Sequence, residues 1–221
     1  MSFVVAIDGK AGTGKGTVTS EIAKKLGLVT IDTGAMYRCV TLRVLQEGVT
    51  QKDIEKVKKI MDNITIEMKK NNDEQKVYLD GNEVTKEIRT TEIDKNVSWV
   101  SAIPYVREKI TPIQRKMGED ENIIMEGRDI GTVVFPNADV KIFLDASDEE
   151  IARRRYKQNI ERGINVTYEQ ILNDIKIRNE YDSNREIAPL QQAEDAIYID
   201  TTNMTIEEEV KKICEIIEEK M

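Results

Sequence analysis

The chain has 221 residues, 33% of them charged, with 41 acidic against 33 basic side chains and a formal net charge of −8. This length suits one domain, or one domain with insertions, and the acidic balance excludes duplex nucleic acid as the main partner, because backbone binding needs a basic face. No run approaches the roughly 20 apolar residues of a membrane helix, no secretory leader pattern is expected, Cys39 and Cys214 stand in no metal-like spacing, and the absence of histidine removes it as base, phosphoryl carrier or ligand.

In chain order, the first predicted element is an apolar strand over Val4–Ile7, which runs into Asp8-Gly9-Lys10-Ala11-Gly12-Thr13-Gly14-Lys15-Gly16-Thr17. A strand, a glycine-rich loop and then a helix form a phosphate-binding device. The glycines allow close backbone approach, and the helix N-terminus favours anions. Lys15 adds a point charge. The spacing fits the G-x4-G-K loop, but Gly16 stands where a hydroxyl usually follows the lysine, and Thr17 comes one later. Val18, Ile22 and Leu26 then predict an amphipathic helix that Gly27 stops.

A second strand, Leu28–Ile31, leads into Asp32-Thr33-Gly34-Ala35-Met36-Tyr37-Arg38. Next, Ile64–Met68 and Lys76–Leu79 alternate apolar and polar residues around the polar turn Asn71-Asn72-Asp73. They predict a small antiparallel insert of two or three strands. Ile123–Met125, Val140–Leu144 and Ala196–Ile199 predict three more strands, read like the first two as buried on both faces of a parallel sheet. The strands end at Asp8, Asp32, Glu126, Asp145 and Asp200, an acidic row at the carboxyl edge where such sheets bind ligands. Thr205 and Glu208 predict a capping box for a closing helix that buries Val210, Ile213 and Ile217.

Arginines gather at three further places. Arg128 and Asp129 follow the third parallel-sheet strand after Glu126-Gly127, Arg153-Arg154-Arg155 lie on a predicted helix, and Arg178, Asp182 and Arg185 at i, i+4 and i+7 predict one helix face. In an acidic chain, arginines at strand ends suit bidentate phosphate clamps. A loop site plus an arginine site suggests phosphoryl transfer between two nucleotides, chemistry that rests on positioning and charge.

At these residues the chain resembles the bacterial-type cytidylate kinases, a branch of the P-loop nucleoside-monophosphate kinases. The segments are Ile7–Thr17, Asp32–Arg38, Glu87-Ile88-Arg89-Thr90, Pro104–Glu108, Gly127-Arg128-Asp129-Ile130-Gly131-Thr132-Val133-Val134-Phe135-Pro136, Val140–Ala146 and Asn184–Leu190, in order along essentially the whole chain. The resemblance implies an α/β fold with a five-stranded parallel sheet flanked by helices, a small antiparallel insert and a short helical lid. It divides one domain into a core (about 1–38, 88–152 and 186–221), an inserted CMP-binding lobe (about 39–87) and a lid (about 153–185).

The implied reaction moves the γ-phosphoryl group of ATP to CMP or dCMP. Gly9, Lys10, Ala11, Gly12, Thr13, Gly14, Lys15, Gly16 and Thr17 would bind ATP, and Lys15, Arg128, Arg154 and Arg185 would be catalytic. Arg38, Arg128 and Arg185 would hold the CMP phosphate, Thr33 and Tyr37 would line that site, and Arg178 with Asp182 would reach the sugar. Ser98, Arg107 and Asp129 would read the cytosine, whose N4 amino group a carboxylate accepts while repelling the oxygen of uracil. The family usually has Pro at Lys10 and Asp at Glu126, and often Ser at Thr33. Gly16 leaves Mg²⁺ held mainly by phosphates and water. No protein metal site, no nucleic-acid or membrane partner, a monomeric state and a cytoplasmic location complete the expectations.

Overall fold

Apolar runs drawn from both halves of the chain build the main sheet in the computed structural model, which describes residues 2–71, 74–161 and 163–221. The sheet is five-stranded and parallel, in the order β2-β6-β1-β7-β8. Its strands are β1 (Val4–Gly9), β2 (Val29–Asp32), β6 (Ile123–Gly127), β7 (Val140–Asp145) and β8 (Ile197–Asp200). Central β1 pairs Val4 with Ile123 on one side and Val5 with Val140 on the other. All six of its residues are buried.

The outer strands depart from expectation. β8 buries only Ile199 and leaves Ile197 and Tyr198 exposed, and β2 buries only Ile31. A strand with one neighbour is covered incompletely, so apolar content alone overstated the burial of these two edges.

The chain divides into two compact units, residues 1–30 with 118–221 and residues 31–117. In the first, helix α1 (Lys15–Leu26) buries Val18 and Ile22 and ends at the left-handed Gly27. Helix α8 (Ile206–Glu218) begins with the Thr205/Glu208 capping box and buries Val210, Ile213 and Ile217. These residues share a cluster with Val5, Ile7, Ile142 and Leu144. Helices α6 (Asp148–Glu161) and α7 (Tyr168–Asn184) pack around Ile151, Ile171 and Ile175.

The second unit carries α2 (Thr33–Gln46), α3 (Ile54–Asn63), α4 (Thr91–Ser101) and α5 (Pro104–Met117). It also carries the antiparallel sheet β3 (Ile66–Asn71), β4 (Glu74–Leu79) and β5 (Asn82–Glu83). Ile66 pairs with Leu79 and Tyr78 with Glu83. Of the expected turn, Asn72 and Asp73 lie outside the described residues. Met36, Ile88, Val100 and Ile110 center this unit's own core. Among the described residues no helix is long and apolar enough to cross a membrane.

Candidate active site

The loop between β1 and α1 turns on glycines with positive φ: Gly9 at 150°, Gly12 at 86° and Gly14 at 91°. A Cβ on Gly9 would lie 2.0 Å from the Leu144 carbonyl oxygen, so only glycine lets the loop leave the sheet here. Lys15 is 5% exposed, and its ammonium donates to the Gly9 carbonyl at 2.9 Å and the Lys10 carbonyl at 2.6 Å. Burial, reinforced by the positive Arg128, lowers its pKa to about 7, against the pull of Glu126 and Asp8. Arg178 also acts on this lysine, so Lys15, Arg128 and Arg178 share one electrostatic site. Lys10 pairs with Asp145 at 2.9 Å at the end of β7.

β6 ends at Glu126-Gly127, Arg128-Asp129 follow it, and a π-turn comes next at Ile130–Val134. The turn is fixed by an acid far away in sequence. Buried Asp8 accepts the Ile130 N–H and the Gly131 N–H, each at 2.7 Å, one on each carboxylate oxygen. Desolvation raises the Asp8 pKa to about 6, and those two hydrogen bonds oppose the rise.

Arg128 donates to Asp182 at 3.3 Å, and Arg185 lies 3.5 Å from Asp129. Arg178 and Asp182 lie one turn apart on α7. Arg185 does not continue their helix face: α7 ends at Asn184, and Arg185 has extended backbone (ψ 143°). Its guanidinium donates to the Ala188 carbonyl at 2.6 Å. Four residues separate the helix end from Pro189, which directly restricts only Ala188, held at a φ of 50°.

Of the arginine run on α6, Arg153 is exposed and pairs with Glu150. Arg154 donates to Glu150 at 2.8 Å and to the Thr201 carbonyl at 2.7 Å, and it lies 3.6 Å from Glu209. Glu209 is 1% exposed, and burial raises its pKa to about 7.

In the second unit, Asp32 caps α2 by accepting the Ala35 N–H. Thr33 is buried in the helix's first turn, one turn before Tyr37 and Arg38. Arg38 donates to Asp94 at 2.6 Å and to the Ile88 carbonyl at 3.3 Å. Buried Arg107 donates to the Tyr37 hydroxyl at 3.0 Å, and its guanidinium lies over the Tyr37 ring. The Ser98 hydroxyl is buried with no hydrogen-bond partner among the described residues. A buried hydroxyl of this kind suits a polar ligand atom.

Each unit therefore carries its own set: Lys15, Arg128, Asp129, Arg178, Asp182 and Arg185 in the first, and Thr33, Tyr37, Arg38, Ser98 and Arg107 in the second. Two residues carry contacts that sequence reasoning left unassigned, Asp8 and Asp94. An acid ending an otherwise apolar buried run signals a required partner, and that signal was available for Asp8. Nothing local distinguishes Asp94 from an ordinary solvated acid.

Parallel sheet, glycine loop and arginine-rich strand ends define a P-loop kinase. In fold the chain is similar to a gluconokinase from Sinorhizobium meliloti 1021, at TM-score 0.50 and 12% identity, covering 98% of this chain and 96% of that one. The chain belongs to the cytidylate kinase family, whose model matches residues 5–219. It is 52% identical over 214 residues to the cytidylate kinase of Limosilactobacillus reuteri (strain DSM 20016), covering 96% of this chain and 94% of that one. It is 47% identical over 216 residues to the cytidylate kinase of Bacillus subtilis (strain 168), covering 98% and 96%.

Proposed function

We infer that the protein transfers the γ-phosphoryl group of ATP to CMP or dCMP, giving ADP and CDP or dCDP. The observation that carries this reading is the loop lysine. Lys15 is buried at a glycine loop, and Arg128 and Arg178 add positive charge to its surroundings. Glu126, Asp8 and Asp182 offset part of this charge, and the phosphate chain of ATP with the single phosphate of CMP would offset the rest. In the transfer, a phosphate oxygen of CMP attacks the γ-phosphorus and the bond to the ADP oxygen breaks. Lys15, Arg128 and Arg185 stabilise the charge spread over the moving group. A catalytic Arg154 would first have to exchange its bonds to Glu150 and Thr201 for phosphate.

On the acceptor side, Arg38 joins Arg128 and Arg185 on the phosphate, Arg178 and Asp182 serve the sugar, and Thr33 and Tyr37 line the site. The base falls to Asp129, Arg107 and Ser98. The inserted lobe (39–87) and the lid (153–185) would exclude water on closing, which limits ATP hydrolysis.

The donors near the loop fit Mg²⁺ carried in with ATP. An oxygen of Glu126 lies 3.0 Å from where a Gly16 Cβ would stand, and no cluster of three metal-ligating side chains occurs among the described residues. A cation held by phosphates, with Glu126 on its waters, needs no protein cage. Bound there, Mg²⁺ would neutralise charge on the β- and γ-phosphates. A monomer working in the cytoplasm suits the two reduced cysteines and the acidic charge.

A coupled assay of each nucleoside monophosphate with ATP and Mg²⁺ tests the reading. CMP and dCMP are expected to exceed UMP by roughly 10–100-fold, the cost of an unpaired buried polar group. CMP turned over no better than UMP would refute it. Asp129→Ala is expected to raise KM for CMP much more than KM for ATP.

A further inference from the structure

We propose that Asp8 is a positioning residue for the acceptor nucleotide, although it belongs to the strand that carries the ATP loop. The proposal rests on the reading that Arg128 and Asp129 serve that nucleotide.

Asp129 occupies the N-cap position of the π-turn, where an aspartate ordinarily accepts the first free N–H groups. It makes no such cap bond. Asp8 supplies the bonds instead, from another strand, with each oxygen 2.7 Å from one of the turn's first two N–H groups. Both donors are satisfied, so the Asp129 carboxylate is spared capping and lies beside Arg185. The turn itself is the wide i→i+5 kind: the Phe135 N–H bonds the Ile130 carbonyl at 2.7 Å and the Val134 N–H bonds the Asp129 carbonyl at 3.2 Å. Such turns are rare overall but frequent at functional sites.

The fit around the bond is close. A Cβ on Gly131 would stand 3.4 Å from the Asp8 carboxylate and 3.1 Å from the Lys141 side chain. Asp8 is 4% exposed, so its carboxylate forgoes water for these two N–H groups. Lys15 and Asp129 are the charged groups acting on it, and their effects oppose each other. The register of β1 against β6, with Asp8 beside Gly127, puts the acid one strand away from the segment it caps. Loss of the cap should let Gly127–Asp129 shift while leaving the glycine loop's own bonds in place.

The test measures KM for CMP, KM for ATP and kcat for wild type, Asp8→Asn and Asp129→Ala. The near-isosteric Asn keeps one acceptor and turns an amide toward the other N–H. Asp8→Asn is expected to raise KM for CMP about tenfold, the effect of one lost charge-assisted bond, with KM for ATP within about twofold of wild type. A variant that melts lower but keeps wild-type kinetics would reduce Asp8 to a structural role and overturn the proposal. So would a rise in KM for ATP equal to that for CMP. Amide exchange in the nucleotide-free wild-type enzyme gives a readout that needs no variant. The Ile130 and Gly131 amides are expected to exchange about a hundredfold slower than open amides, and unprotected amides would overturn the cap. Asp129→Ala separates this from the base assignment. An unchanged CMP-to-UMP preference there sinks the base reading alone, whereas the Asp8 proposal is judged on CMP against ATP.

Discussion

At Lys15 the cost of burying charge becomes a measurable proton count. With its pKa lowered from 10.5 to about 7, the folded protein carries fewer protons than the unfolded chain between those values. The lysine's contribution to stability therefore grows as pH rises through that window, and at lower pH the full burial cost remains. Phosphates restore the charge, so ATP binding near neutral pH is expected to take up a fraction of a proton. Titration calorimetry in two buffers of different ionisation enthalpy reads it, and equal apparent enthalpies would contradict it. Lys15→Ala should abolish the uptake and lower kcat at least about a hundredfold, with unchanged circular dichroism. Glu209 shows the opposite sign. Its pKa is raised from 4.5 to about 7, so the folded state holds a proton that the unfolded chain releases, and stability falls as pH rises through that interval. Glu209→Gln is expected to melt about 3 °C higher near pH 8 and no higher near pH 4; an equal gain at both would assign the effect to packing.

At the scale of elements, the sharpest constraint is where β1 becomes the loop. Gly9→Ala would drive a Cβ into the backbone of β7, which cannot move without breaking the β1–β7 pairing. It should cost several kcal/mol, and a melting temperature near wild type would disprove this. Gly16 and Glu126 form a second linked pair. A side chain at 16 meets the Glu126 carboxylate, so Gly16→Ser should be better tolerated in Glu126→Asp than alone, a coupling readable as a double-mutant cycle of ATP affinity.

The same elements show what the sequence made legible. Continuous apolar runs located all five parallel strands, and alternation located β3 and β4. The caps of α1 and α8 were readable because capping is chemistry within a few residues. Edge exposure of β2 and β8 was not, because it depends on strand order. Nor was the end of the Arg178–Asp182 helix before Arg185, because Pro189 directly restricts only Ala188. The Asp8 cap and the Arg154–Glu209 contact join residues far apart in sequence, and no periodicity encodes such pairs.

For the whole molecule, each unit has a hydrophobic cluster of its own. A ligand that binds one native unit stabilises that unit by mass action. A non-hydrolysable ATP analogue is therefore expected to slow amide exchange in β1, α1 and the turn after β6, and to leave α3 and β3–β5 within about twofold of the free rate. Equal protection throughout would mean that the molecule opens only as one piece.

The central place of β1 also sets an order of events on the ribosome. The strand is made well before its neighbours, residues 123–127 and 140–144. Residues 31–117 emerge in full before either neighbour emerges, and domains fold as units during synthesis. The phosphate loop, made ahead of both neighbours, is thus among the last parts to acquire its shape, and a truncated chain released after residue 122 should carry a folded second unit with no grip on ATP.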